Sequence, residues 1–183
     1  MPMKKEYKSI EELIKNNLNI EEDAVTLKLI NELKKIKKRG YFTKAEFLAI
    51  GMWKSPRPKQ QYLRNSKKEI ISISKKVLST KFERSRIELL TSLKGVSIPT
   101  ASAILTLIDP KNYGVIDIRV WQVLYLYGSV KQKPSGMNFD FSNWYNYLMK
   151  LRYYAKKFKV SARDVEQILF LHHKEIQDGN LYK

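Results

Sequence analysis

Apolar residues recur at spacings of three and four over most of the chain, the period that gathers side chains on one face of an α-helix. Ser9-Ile-Glu-Glu12 has the form of a capping box and leads into Ile10, Leu13, Ile14 and Leu18 along a single face. Val25, Leu29, Leu33 and Ile36 predict a second helix over about residues 21–38. The capping signature returns at Thr43 to Glu46, Ser66 to Glu69 and Thr80 to Glu83, each time just ahead of an apolar stripe, so three more helix starts are expected. Pro56 and Pro58 should end the first of these near Lys54. The cleanest periodicity belongs to Trp144, Tyr147, Leu148, Leu151, Tyr154, Ala155 and Phe158, which predicts a core helix whose aromatics are structural. Ser161 to Asp164 then caps a last helix carrying Val165, Ile168, Leu169 and His172 on one face. Ser129 to Asn138 is the best candidate for a hinge or surface excursion, and no internal repeat interrupts the series.

The expected class is therefore all-α. Seven glycines and six prolines are too few for many short strands and turns, and 183 residues suit one domain or two small helical lobes sharing an interface. No apolar run reaches the roughly 18 residues of a membrane span. The absence of cysteine removes disulfides, zinc–thiolate sites, iron–sulfur clusters and cysteine nucleophiles, and two adjacent histidines, His172 and His173, read as a packing pair rather than metal ligands. No metal site is expected. Glu175 and Asp178 read as charges of a fraying tail. The first residues lack the apolar stretch of a secretory signal, so a cytoplasmic, nucleoid-associated protein is expected.

Charge sharpens the picture. Thirty-five Lys and Arg against 18 Asp and Glu leave +17, and residues 34–86 hold 17 of the cations but only three acids. A basic face this concentrated favours a polyanion, nucleic acid before an anionic membrane surface, although a lysine coat serving solubility or an acidic partner protein would share the composition.

The stretch with chemical content runs from Leu93 through Leu105 and on from Asp109 to Trp121. It reads as helix, tight turn, helix, loop, helix. Gly95 is expected at the left-handed C′ position that closes the helix begun at Thr80, and Pro99 at the first position of the next. The N–H groups between them, with the positive end of the new helix, can hold a phosphate without reading a base. Asp117 stands where the following helix begins, as its N-cap, as a catalytic carboxylate, or as both.

Leu93, Gly95, Val96, Thr100 and Ala101 resemble the hairpin of the helix-hairpin-helix DNA glycosylases, and Asp117-Ile-Arg-Val-Trp121 is similar to the Asp-x-His-x-Trp arrangement of their 8-oxoguanine-processing branch. The likeness covers about residues 85–127. It implies a two-lobed helical bundle in a single domain spanning 1–183, with the motif at about 80–128 and flanking helices at 9–79 and 139–176 forming lobes around a DNA cleft. It also implies a monomer acting on double-stranded DNA and excising a flipped damaged or mispaired base, with Asp117 catalytic. Lys94, Gly95, Val96, Ser97, Ile98, Thr100 and Arg119 would bind the DNA backbone. Trp53, Lys54 and Arg57, at a proline-broken helix end in the most basic stretch, would border the base pocket or wedge into the duplex, unless Trp53 packs inside and the two cations are merely solvated. Two departures refine the expectation. Ser97 replaces the second hairpin glycine, and Pro99 stands where bifunctional members place their Schiff-base lysine, so a monofunctional hydrolase is expected. No cofactor is expected, though the hairpin could take a structural monovalent cation. A non-catalytic DNA-binding protein with the same hairpin is the alternative.

Overall fold

The computed structural model describes residues 5–177, and every regular element among them is helical. In chain order these are α1 (Ile10–Asn16), α2 (Ala24–Leu33), α3 (Lys35–Arg39), α4 (Lys44–Lys54), α5 (Lys59–Leu63), α6 (Lys67–Ser79), α7 (Glu83–Thr91), α8 (Ile98–Ile108), α9 (Ile118–Leu126), α10 (Phe141–Phe158) and α11 (Ala162–Ile176). None of these helices is long and apolar enough to cross a membrane. Asp178 lies outside the described residues.

Capping chemistry sets most of the boundaries. Thr43, Ser66 and Ser161 each accept from the N3 amide while the N3 acid reaches back, forming complete capping boxes. Asp140 and Asn143 make a fourth at the start of α10. Ser9 completes only half of its box, because the Glu12 carboxylate takes the Lys8 amide instead. At Thr80 the expected box is absent. Thr80 ends α6, its hydroxyl accepts from the Phe82 amide, and Glu83 turns to Tyr113, Arg86 and Arg152. The expected helix over 21–38 is two helices: at Lys34 the amide reaches Asn31 rather than the fourth residue back, and this tighter turn lets both Leu33 and Ile36 enter the core.

A continuous apolar cluster from Ile10 to Leu169 joins the helices. At its centre lies α8, whose residues Thr100 to Ile108 are all buried. A helix covered on every face needs small side chains where neighbours approach, and Thr100, Ala101, Ser102 and Ala103 supply them. Against it pack α4, α7 and α2, while α11 packs on α9 and α10. Trp144 and Tyr147 are fully buried in α10, as their periodicity predicts. The two histidines are buried as well.

Candidate functional site

Asp117 caps α9, its Oδ1 accepting from the amides of Arg119 at 3.0 Å and Val120 at 3.2 Å. The segment that delivers it is held from three sides. The Ile116 amide donates to Ser102 Oγ at 3.1 Å, the Tyr147 hydroxyl donates to the Val115 carbonyl at 2.9 Å, and the Val115 amide donates to Glu166 at 3.4 Å. Just upstream, Gly114 lets the chain touch α10 and α11; a Cβ there would lie 2.4 Å from Leu151 Cδ1 and 2.9 Å from Glu166 Cβ. Beneath this segment Arg163 is paired with Glu166 and forked onto Glu22 at 2.8 and 3.0 Å. Burial pushes the Glu166 carboxyl up, an effect that the adjoining Arg163 guanidinium offsets only in part.

Lys54 approaches Asp117 from the other side. It is the last residue of α4, and its Nζ lies 3.4 Å from Asp117 Oδ2, with the two side chains 17% and 22% exposed. The distance between α4 and the hairpin is fixed by Tyr62. Its buried ring sits between two glycines: a Cβ at Gly51 would fall 2.8 Å from one ring edge, and one at Gly95 would fall 2.9 Å from the other. Gly51 is three residues before Lys54, so the gap that admits the ring also sets the reach of the amine.

The hairpin joins α7 to α8. Gly95 adopts φ +84°, as required of it, but not as the C′ residue of α7, which ends at Thr91 and continues as turns through Leu93 and Val96. Pro99 takes the second position of α8 rather than the first. Asn65, fully buried, clamps the turn: its Oδ1 accepts from the Lys94 amide at 2.8 Å and its Nδ2 donates to the Lys94 carbonyl at 3.0 Å. Consequently the Lys94 amide is not available to a ligand, and the Val96 amide is held by Leu93. The amides of Gly95, Ser97, Ile98 and Thr100 have no acceptor among the described residues and stand at the positive end of α8.

These parts face a cavity of about 900 Å³. Its lining brings together Lys54, Arg57, Val96, Ser97, Ile98, Thr100, Asp117 and Arg119, and it is closed on one side by Gly136 to Phe139. The excursion after α9 is thus part of the site, pinned by Trp121, whose indole donates to the carbonyls of Gln132 and Lys133 at 3.1 and 3.0 Å. Gly136 lies flat on Ile118, where a Cβ would meet the carbonyl oxygen at 2.9 Å.

One expected role needs correction. Trp53 is not at the cavity: its indole donates to Thr26 at 2.9 Å, Arg163 lies over its ring, and it packs on the core, so it is neither wedge nor pocket wall. Arg119 lines the cavity as expected, with Nη1 of its guanidinium turned to α11, where it bonds His173 and Gln177. Burial and that neighbouring guanidinium hold the His173 imidazole down to about 4. Lys94 is exposed at the hairpin and Arg57 at the cavity mouth. Tyr62, Asn65, Glu166 and Gly51 carry no local signal in the sequence, because the contacts that give them their work are made with other elements of the fold.

For metal ligation, the described residues offer Glu6, His172 and Glu175, whose donor atoms lie within 4.8 Å of one another. His172 and Glu175 line a separate recess of about 200 Å³. Comparison with known proteins finds no matching family model, no matching curated protein and no matching solved structure.

Proposed function

We propose that this chain is a DNA glycosylase that hydrolyses the N-glycosidic bond of a base extruded from the duplex. The observation that carries the reading is the shared cavity. A carboxylate, Asp117, shares it with Ser97, Ile98 and Thr100 of the hairpin, whose amides await an acceptor. In this reading the cavity is the cleft between two helical lobes, at 9–79 and 139–176. Its volume lies within the roughly 300–1,000 Å³ usual for small-ligand sites, enough to receive a flipped nucleotide.

The chemistry then follows from charge and position. Phosphate oxygens accept from the free hairpin amides, helped by the positive end of α8, while Lys94 and Arg57 add sequence-independent attraction. As the glycosidic bond lengthens, positive charge develops on the sugar. Asp117, held rigidly by two amides through Oδ1, presents Oδ2 to that charge and orients or deprotonates the attacking water. Its capping role and its catalytic role use different oxygens, so neither competes with the other.

The test is incubation with duplexes each carrying one lesion or mismatch, followed by hot alkali to cut abasic sites. Strand breaks dependent on Asp117 support the reading. Tight, salt-sensitive duplex binding with no release of any base would replace it with a DNA-binding module in which Asp117 only caps α9.

A further inference from the structure

The excess positive charge of this chain is local. Residues 34–86 hold 17 Lys and Arg against three acids, whereas the remainder of the chain holds 18 against 15, a distribution that a lysine coat serving solubility does not explain. All three of those acids are already engaged. Glu46 accepts from the Thr43 amide and pairs with Arg39 and Lys35, Glu69 closes the capping box of Ser66, and Glu83 pairs with Arg86 and Arg152. Uncompensated cations therefore remain, and α6 gathers three of them. Lys68, Ser72, Lys75, Lys76 and Ser79 recur at the spacing of one helical face, all exposed, and none of the three lysines makes an ion pair among the described residues. The stripe starts beside the hairpin, because Asn65, which clamps Lys94, stands just before the Ser66 cap of α6. Its other end meets the turn after α3. There the Phe42 amide donates to Ser74 Oγ at 3.2 Å, and the Tyr41 ring has Lys75 Nζ at 5.6 Å and the Arg39 guanidinium carbon at 4.7 Å from its centroid.

We propose that the exposed face of α6 is a second phosphate-binding track for duplex DNA, outside the cavity and leading away from the hairpin. The proposal rests on the reading that duplex DNA is the partner. From Lys68 to Lys76 the helix rises about 12 Å, at roughly 1.5 Å per residue. That is the length of about three to four base pairs, so the amines at the two ends reach phosphates several steps apart, and the Ser72 hydroxyl between them adds a neutral donor. Three lysines with no acid among them repel one another, and a polyanion relieves that repulsion while its counterions are released. No exposed side chain of α6 is apolar, which gives the stripe no hold on acyl chains and sets it apart from a helix built to lie in a membrane surface. The track reads no base. It holds the protein on the duplex independently of sequence while the cavity receives the extruded nucleotide.

Salt titration of binding to a lesion-free duplex tests this. Lys68→Gln, Lys75→Gln and Lys76→Gln combined should lower the slope of log K against log salt by about 2–3 and weaken binding at least about tenfold. Lys8→Gln, Lys15→Gln and Lys156→Gln combined remove the same charge from positions outside residues 34–86 and should change the slope by less than about 1. All six side chains are exposed, and circular dichroism checks that both variants fold. An α6 variant that keeps the parental slope, or a control that loses as much as the α6 variant, overturns the proposal. Vesicles rich in phosphatidylserine supply the competing surface: binding to them that depends on the α6 lysines and exceeds binding to the duplex overturns the assignment to DNA. Base release from a lesion-bearing duplex is read separately. Excision with duplex binding that ignores the α6 lysines overturns the track and leaves the glycosylase reading standing. Duplex binding that depends on those lysines, with no base released from any lesion, supports the track and overturns the glycosylase reading.

Discussion

Replacing Asp117 with asparagine separates the two jobs assigned to one side chain. The cap survives the change, because the amides of Arg119 and Val120 both donate to Oδ1 and an asparagine oxygen accepts equally well. A cap is worth about 1 kcal/mol, and that contribution stays. The Lys54 pair at 3.4 Å is lost, but both side chains reach solvent and such pairs contribute about 0–1 kcal/mol. Removing the negative charge also relieves repulsion on buried Glu166, which works in the opposite direction. Unfolding should therefore shift by less than about 1 kcal/mol, or roughly 2–4 °C in Tm for a chain of this size. Excision should fall much further, by about 10²–10³, the usual cost of removing one group that stabilises developing charge. Thermal unfolding, duplex binding and single-turnover excision on the same preparations check this. A Tm lowered by more than about 8 °C would show Asp117 to be chiefly structural, since that exceeds the shift of a single cap and pair. A stable variant excising at the parental rate would remove Asp117 from the mechanism.

Further outcomes follow from the same geometry. Duplex affinity should drop steeply as salt rises, and Lys94→Glu should weaken binding alike for all sequences; flat salt dependence, or a loss confined to one sequence, would refute phosphate-dominated binding. Asn65→Ala breaks the clamp on Lys94 and should cost about 1–3 kcal/mol in denaturant unfolding, with weaker duplex binding than the stability loss alone explains. His173 is held near 4 when folded, so the unfolded chain takes up its proton first as pH falls from about 6.5; stability should decline through that window, and His173→Gln should lessen the decline. Urea midpoints at pH 7 and pH 5 for both proteins decide the point.

Local signals made the helices readable before any fold was known. The boxes at Thr43, Ser66 and Ser161, the prolines after Lys54 and the stripe of α10 act within a turn or two of chain, where spacing alone fixes who meets whom. Asp117 was legible for the same reason, as a capping residue at a helix start. Where the sequence misled, a distant partner outcompeted the local one: Glu83 left Thr80 for Arg152 and Tyr113, and Trp53 found Thr26 and Arg163 instead of the cavity. The tertiary structure alone decided that Lys54 meets Asp117 across 63 positions, that Asn65 takes the hairpin amide 29 positions away, and that two glycines admit one tyrosine ring between them. Such contacts depend on how whole helices are spaced and turned, and that spacing is set by the summed packing of the core rather than by any periodicity a single stretch of sequence can carry.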